Sequence, residues 1–169
     1  PAVQASSPPI HDHDIHLNRS LRMRNTLRTA LALACLVGST ATLADCDNTD
    51  AAIAGAARFE ISGGLAYDKV NNLTWQRCSV GQSLDGSGTC TGTTQKFTFE
   101  EAQALAKDGW RVPTLDEYGT IVAEYCRDPV IDLTVFPGTV SEHHWSSIFT
   151  NPMTWYFSFR NGNPNPTYY

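Results

Sequence analysis

The positions of the cysteines constrain the fold of this 169-residue chain more than any other sequence feature. Four of its five cysteines lie downstream of residue 44: Cys46, Cys78, Cys90 and Cys126. An even number of cysteines in an exported domain is typical of disulfides. Cys78 and Cys90 flank a Gly- and Ser-rich loop without apolar periodicity, so we expect these two to pair. Elimination then pairs Cys46 with Cys126. A zinc site or redox pair is the weaker interpretation, because no Cys-x-x-Cys motif occurs.

A secretory signal peptide is predicted over residues 23–44. The segment contains a basic start at Arg24 and Arg28, an apolar stretch over 29–37 and a small-residue cleavage site ending at Ala44. The apolar stretch is too short to span a bilayer of about 30 Å. Lipidation is the weaker alternative, because the residues before Cys35 and Cys46 do not have the order of a lipobox. We therefore expect a protein that is secreted, periplasmic or at the cell surface, with no integral membrane segment after cleavage.

Residues 1–22 precede the first methionine, and we interpret them as a disordered leader or as mis-assigned upstream sequence. They include His11, His13 and His16 beside Asp12 and Asp14. Such spacing can bind a metal in a flexible tail, which is the weaker hypothesis.

The charge balance argues against a nucleic-acid partner. The whole chain has 12 basic and 17 acidic residues, a formal net charge of −5. Residues 45–169 contain 8 of the basic and 15 of the acidic residues, a net charge of −7. Binding to phosphates requires an excess of Lys and Arg, and an acidic surface repels polyanions. The length favours one globular domain after the signal peptide.

The first part of the predicted domain has the pattern of β-strands. Strand-like segments lie at 58–62, 65–68 and 73–78. The last two are separated by a short, asparagine-containing segment, which favours a hairpin. Trp75 and Leu73 would share one face of the second hairpin strand.

Two helices are predicted next, and each begins with a capping box. Thr98 with Glu101 begins the first, which is expected to stop at Gly109. Thr114 with Glu117 begins the second, and the acidic residues of its first turn favour capping over acid–base chemistry. The apolar stripe of the second helix, which can face a sheet, consists of Leu115, Tyr118, Ile121, Val122 and Tyr125.

The last part of the chain predicts a second group of strands. Two strands are expected at 144–149 and 154–160. Asn161-Gly162 is a strong signal for a two-residue hairpin turn. The return strand from Asn163 contains Pro164 and Pro166, which lack an N–H, so we expect an edge strand at best.

Several separated motifs recur here in a familiar order. They are segments 64–68 and 73–78, Trp110-Arg111-Val112-Pro113-Thr114, Phe136-Pro137, Trp145-Ser146-Ser147, Trp155-Tyr156-Phe157 and Asn161-Gly162-Asn163. Over about residues 59–163 they resemble the Lcl C-terminal domain family, named after the terminal domain of a bacterial collagen-like adhesin. The residues assigned to the structural motif of this resemblance are Trp75, Trp110, Arg111, Pro113 and Thr114.

The resemblance implies an α+β, C-type-lectin-like fold, in which two short helices pack on a twisted antiparallel sheet. It also implies a bacterial protein with a binding or adhesion role outside the cytoplasm. The motif from Trp110 to Thr114 is similar, in addition, to the helix entry of formylglycine-generating enzymes, which share that broad fold. No Gly-X-Y repeat precedes the domain, which leaves trimerisation through a collagen stalk unsupported. Family members commonly continue beyond the position of Tyr168-Tyr169, so a truncated sequence or a missing sheet edge is expected for domain 45–169.

Glu142-His143-His144 is the one compact cluster of this domain suited to metal binding or acid–base chemistry. On an extended strand Glu142 and His144 would share a face, whereas His143 would not. Two ligands do not complete a zinc site, and the calcium-binding loops of C-type lectins have no counterpart. No catalytic nucleophile is evident, and no cysteine follows Cys126 to form the reactive pair of formylglycine-generating enzymes. We expect no enzymatic activity, no metal and no cofactor.

Aromatic and amide side chains of the last part of the chain, together with one arginine, are the candidate ligand contacts. They are Trp145, Trp155, Tyr156, Arg160, Asn161, Asn163 and Tyr168. Trp155 is expected in the core with Phe157 and Phe159, which leaves Tyr156 and Arg160 on the opposite face.

The leading hypothesis is an exported, non-catalytic binding or adhesion domain for a glycan or protein. Its predicted ligand-binding residues are Trp145, Tyr156, Arg160, Asn161 and Asn163. The alternatives are an enzyme related to the formylglycine-generating class, or a metal-dependent relative of it, and a structural component of the cell envelope. The ligand and the oligomeric state are not predicted.

Overall fold

The computed structural model describes residues 5–6, 45–46 and 49–168 of the chain. The predicted signal peptide, residues 23–44, and the His-rich part of the leader lie outside the described residues. The described elements are, in chain order, β1 (Ala5–Ser6), β2 (Asp45–Cys46), α1 (Thr49–Ala57), β3 (Phe59–Ser62), β4 (Leu65–Asp68), β5 (Leu73–Gln76), β6 (Gln82–Leu84), β7 (Cys90–Gly92), α2 (Phe99–Ala104), α3 (Leu115–Thr120), β8 (Cys126–Arg127), β9 (His143–Thr150), β10 (Met153–Ser158) and β11 (Asn163–Tyr168).

The first sheet has the strand order β1-β5-β4-β3, with antiparallel neighbours. The predicted hairpin is its centre, and β4 and β5 pair with Asp68 opposite Leu73. Alternation along β5 places Leu73 and Trp75 on the buried face, as the sequence predicts. The carboxylate of Asp68 stabilises the turn, because it accepts hydrogen bonds from the N–H of Val70 and the side-chain amide of Asn71.

The second sheet has the order β11-β10-β9 and is also antiparallel. Strand β11 pairs with β10 from Asn163, opposite Ser158, to Tyr168, opposite Met153. The return strand therefore forms, and it occupies an edge of the sheet, as its two prolines predict.

The turn between β10 and β11 is longer than the predicted two-residue turn. Strand β10 ends at Ser158, so residues 159–162 connect the two strands. Gly162 donates its N–H to the carbonyl of Ser158 at 2.9 Å and has a φ of 71°, which favours glycine. Phe159 leaves the ladder but remains fully buried.

Both predicted disulfides are present in the structure. Cys46 bonds to Cys126, and Cys78 bonds to Cys90. The Cys46–Cys126 bridge joins the paired strands β2 and β8, whereas Cys90 of the other bridge lies in β7, which pairs with β6. The first bridge spans 80 residues and the second spans 12, so the first connects distant parts of the chain.

The two predicted helices begin where their capping boxes indicate. The hydroxyl of Thr98 accepts from the N–H of Glu101, whose carboxylate accepts from the N–H of Thr98 in return. Thr114 and Glu117 make the same reciprocal pair at the start of α3. The start signals were therefore sufficient, since each consists of local hydrogen bonds.

Both helices end earlier than predicted. Helix α2 ends at residue 104, and the chain turns before Gly109, which has a φ of 82°. Helix α3 ends at residue 120, and Ala123 donates its N–H to the carbonyl of Val130 at 3.0 Å instead of continuing the helix. Val122 and Tyr125 consequently lie outside the helix whose apolar stripe they were expected to extend.

Helix α1 was not predicted. It is rich in alanine and carries no apolar stripe on one face, so its sequence lacks the amphipathic signal. Its Gly55 lies against Tyr125, and a Cβ at this position would come within 2.2 Å of the tyrosine hydroxyl. The described fold thus has three short helices rather than two.

The core lies where α3 packs between the two sheets. Tyr118 is completely buried; its ring is 6.1 Å from Trp75 of the first sheet and stacks at 5.5 Å on Phe157 of the second. Phe136 extends this cluster, since its ring meets Trp75 edge-on. The architecture is α+β with antiparallel sheets, short helices and two disulfides.

Candidate functional site

A groove of about 290 Å³ lies on the second sheet. Its lining residues are Lys96, Phe97, Glu142, His143, Trp145, Tyr156 and Thr167. Tyr118 packs on His144 and Phe157, and adjacent residues of a strand point to opposite faces, so Trp145 and Tyr156 lie on the face away from Tyr118. The volume is near the lower limit of ligand sites, about 300 Å³, which suits one small group of a larger ligand.

Trp145 is held in place from three directions. Its indole N–H donates to the carbonyl of Phe97 at 2.8 Å, and its ring meets Phe99 edge-on with centroids 5.8 Å apart. Its own carbonyl accepts from the hydroxyl of Tyr118 at 3.2 Å. Since indole has no other polar group, the half-buried ring offers a ligand its apolar surface.

Tyr156 completes an aromatic corner with Trp145 and His143. It lies opposite Trp145 in the β9–β10 ladder, and the two rings are nearly perpendicular, at 80°, with centroids 6.3 Å apart. The ring of His143 lies 4.1 Å from that of Tyr156. We call these three residues the aromatic corner.

The polar side chains around the aromatic corner are available to contact a ligand. Within the described residues, the ammonium of Lys96, the carboxylate of Glu142 and the hydroxyls of Tyr156 and Thr167 have no intramolecular hydrogen-bond or ion-pair partner. Lys96 and Glu142 are both exposed. The groove therefore combines fixed aromatic surface with available charges of both signs.

The cluster Glu142-His143-His144 is arranged differently from the prediction. The expectation that Glu142 and His144 share a face is wrong, because β9 begins at His143 and strand alternation does not extend to Glu142. Glu142 and His143 both line the groove, whereas His144 is fully buried beside Tyr118 and Phe159.

Burial makes His144 a neutral group of the core. Desolvation lowers the pKa of its imidazole to about 3. Its Nε2 lies 3.2 Å from the carbonyl of Val140, to which the neutral ring donates when this nitrogen carries the proton. His144 is thus a core residue that contributes no charge to the groove at neutral pH.

Three of the five predicted ligand contacts lie away from the groove lining. Arg160, Asn161 and Asn163 are exposed at the turn between β10 and β11. The side-chain oxygen of Asn161 accepts from the N–H of Asn163 at 3.3 Å, which stabilises the turn. The structure brings only Trp145 and Tyr156 of the predicted set together in the groove.

Trp155 is less buried than predicted. Phe157 and Phe159 are in the core, but Trp155 is half-buried. Its indole N–H donates to the hydroxyl of Thr150 at 2.8 Å, near the hairpin between β9 and β10. Beside it, the ladder between β9 and β10 changes register, so this end of the sheet does not continue the packing around Tyr118.

The Trp-Arg-Val-Pro-Thr motif joins α3 to β9, the strand that contributes Trp145 to the groove. The carbonyl of Pro113 accepts from the N–H of Ser147 in β9 at 2.8 Å. Arg111 makes two hydrogen bonds to the carboxylate of Glu117, one of them 2.7 Å long. These bonds lower the pKa of Glu117 and raise that of Arg111, against the effect of desolvation. Thr114 is the N-cap of α3, so Arg111, Pro113 and Thr114 of the motif make structural contacts.

The described residues contain no group of three or more His, Cys, Asp and Glu side chains placed to hold a metal ion. None of the helices in the described part of the chain is long and apolar enough to cross a membrane.

The sequence profile of the Lcl C-terminal domain family matches residues 64–168, more than half of the chain. The chain belongs to the Lcl C-terminal domain family. No curated protein and no solved structure gives a significant match.

The Lcl C-terminal domain match includes the whole groove, both helices with capping boxes and the Cys78–Cys90 bridge. It begins after α1 and β3, so these elements and Cys46 precede the matched region. The resemblance recognised in the sequence is confirmed at the level of the family.

Proposed function

We propose that this chain is an extracytoplasmic, non-catalytic binding domain of the adhesion type, which contacts a glycan or a protein through the groove on its second sheet. The observation that carries the proposal is the aromatic corner, in which half-buried Trp145 and Tyr156 lie beside exposed His143, and the indole of Trp145 is fixed by its hydrogen bond to Phe97. A rigid aromatic surface reduces the entropy lost on binding.

Two features support a location outside the cytoplasm. Both disulfides join cysteines downstream of the predicted signal peptide, and disulfides persist in oxidising compartments. The family is also named after a domain of a bacterial adhesin. Export through residues 23–44 and a C-type-lectin-like arrangement of the elements are parts of this proposal.

The state of the cysteines favours binding over catalysis of the formylglycine-generating type. Cys46, Cys78, Cys90 and Cys126 are all in disulfides, two residues to each bridge. A reaction that requires a free thiol at one of these positions would first require reduction of a structural bridge.

An array of immobilised glycans and proteins tests the proposal. We expect the purified chain, with both disulfides formed, to bind at least one array component saturably. Tyr156→Ala should weaken this binding at least tenfold, whereas Arg160→Ala should retain it, because Arg160 does not line the groove. Circular dichroism would show that both variants are folded.

Two results would contradict this proposal. Absence of saturable binding on the array would contradict the function itself. Binding that is lost in Arg160→Ala and retained in Tyr156→Ala would move the contact surface to the β10–β11 turn.

A further inference from the structure

Building on the proposed function, we propose that the groove recognises a phosphocholine-type zwitterion, in which a short linker joins a quaternary ammonium to a phosphate. This group would be displayed on the glycan or protein ligand. The groove offers what each end of such a group requires: an aromatic corner with the carboxylate of Glu142 beside it, and the ammonium of Lys96, which has no partner within the described residues.

The aromatic corner suits the quaternary ammonium. A trimethylated nitrogen has no N–H to donate, so it binds to ring faces by cation–π attraction and to a nearby carboxylate by charge. Trp145 and Tyr156 are nearly perpendicular and can contact such a group from two sides. Glu142 lines the same groove, and its carboxylate has no partner within the described residues.

Lys96 suits the phosphate. Lysine binds phosphate as a point charge, and this ammonium has no partner in the described part of the chain. Lys96 is next to Phe97, whose carbonyl holds the indole of Trp145, so its backbone is fixed at the Trp145 end of the corner.

The carboxylate of Glu142 and the ammonium of Lys96 are placed at different ends of the aromatic corner. Glu142 is next to His143, whose ring lies on Tyr156. His143 and Trp145 are two residues apart along β9, which corresponds to about 7 Å on a strand. An ammonium and a phosphate joined by a short linker can therefore contact Glu142 and Lys96 at the same time.

The electrostatics favour a zwitterion over either ion alone. The groove lining has one acidic and one basic residue, whereas residues 45–169 as a whole carry a net charge of −7. This field opposes an isolated phosphate, and Lys96 opposes an isolated cation. A zwitterion satisfies Lys96 and Glu142 together.

Titration calorimetry with phosphocholine, choline and inorganic phosphate tests this inference. The chain should bind phosphocholine more tightly than choline, and inorganic phosphate alone should not bind measurably. Lys96→Gln should weaken phosphocholine binding, because the phosphate loses its counter-charge, and it should not weaken choline binding, because the charge that opposes an isolated cation is removed. The preference for phosphocholine over choline should therefore disappear. Glu142→Gln should weaken the binding of both compounds about tenfold.

Matched substitutions outside the groove serve as controls. Lys107→Gln and Glu124→Gln each remove one exposed charge of the same sign without touching the groove, and both should bind like the unmodified chain. If the controls weaken binding as much as Lys96→Gln and Glu142→Gln do, the effect is one of net charge and the inference is wrong.

A second measurement distinguishes phosphocholine displayed on a soluble carrier from the same group on a lipid surface. Phosphocholine coupled to a soluble protein carrier should be captured, and this capture should compete with free phosphocholine. Phosphatidylcholine vesicles should be bound less well than the carrier; vesicle binding without carrier binding would overturn the display on a glycan or protein.

The two proposals can fail separately. Saturable array binding that depends on Tyr156 but is not inhibited by phosphocholine would overturn the zwitterion and leave the binding function intact. Absence of both array binding and phosphocholine binding would contradict the binding function as well.

Discussion

At the scale of single residues, His144 and His143 show how adjacent histidines of one strand acquire different roles. His143 is exposed in the groove, whereas His144 is completely buried between Tyr118 and Phe159. Desolvation lowers the pKa of His144 to about 3, from an ordinary value of about 6.5. This buried ring links the stability of the domain to pH.

The direction of this pH dependence follows from proton binding. Below about pH 6.5 the unfolded chain protonates His144 while the folded chain keeps it neutral, so stability is complete above this pH and is lost as the pH falls toward 3. The loss between pH 7 and pH 5 should be about 2 kcal/mol. Urea denaturation at several pH values measures it. His144→Gln should flatten this part of the profile and His143→Gln should not; equal profiles for both variants would contradict the assignment.

At the scale of elements, the two capping boxes are equivalent in sequence but not in surroundings. Both begin helices of six residues, but Glu117 of the second box also binds Arg111, whereas Glu101 of the first is exposed. The start of α3 therefore depends on a network that the start of α2 lacks.

Substitution of the two capping threonines tests this difference. Thr114→Ala should lower the free energy of unfolding by about 1–2 kcal/mol, because it removes the N-cap and releases Glu117 from its position beside Arg111. Thr98→Ala is the matched control and should cost about 1 kcal/mol or less. Urea denaturation of both variants provides the comparison. A larger loss for Thr98→Ala would show that the network adds nothing.

The edge strand β11 carries two prolines, which limit its pairing with other chains. Proline has no N–H, so an edge strand that keeps its ladder to β10 must turn Pro164 and Pro166 toward the open side. The double variant Pro164→Thr, Pro166→Thr restores two edge donors and should self-associate more strongly than the unmodified chain. Analytical ultracentrifugation over a range of concentrations measures this. An unchanged sedimentation profile would mean that the prolines do not protect the edge.

At the scale of the whole molecule, the two disulfides should contribute unequally to stability. In the loop-entropy model the bridge that spans 80 residues, Cys46–Cys126, stabilises by about 4.5 kcal/mol, and Cys78–Cys90, which spans 12, by about 3 kcal/mol. Replacing each pair with serine should therefore destabilise the domain more when the long bridge is removed. Thermal and urea unfolding of both double variants measure the difference. The reverse order would show that native-state contacts outweigh the entropy of the unfolded chain.

Features encoded by neighbouring residues were predictable from the sequence. The β4–β5 hairpin and both helix starts are confirmed, because each depends on residues a few positions apart. Helix ends were not predictable: Ala123 leaves the helical pattern to bond with Val130, a partner that no local motif specifies. Helix α1 lacked an amphipathic signal altogether.

The residues of the candidate site also fall into those that could be predicted from the sequence and those that could not. Trp145 and Tyr156 could be found from the sequence, because aromatic residues on strands are conspicuous. Lys96, Phe97 and Thr167 could not, since their place in the groove arises from long-range contacts. The hydrogen bond that brings Phe97 to Trp145 joins residues 48 positions apart, and the sequence contains no signal for it.

The central claim is that the aromatic corner is the surface that contacts the ligand. The chain has four tryptophans, and their indole N–H signals in a ¹⁵N–¹H spectrum distinguish buried Trp75 and half-buried Trp110 and Trp155 from Trp145 in the groove. When the array-selected ligand is titrated in, the Trp145 signal should shift most and the Trp75 signal should stay in place. A saturable shift confined to Trp110 or Trp155, with Trp145 unchanged, would contradict the account.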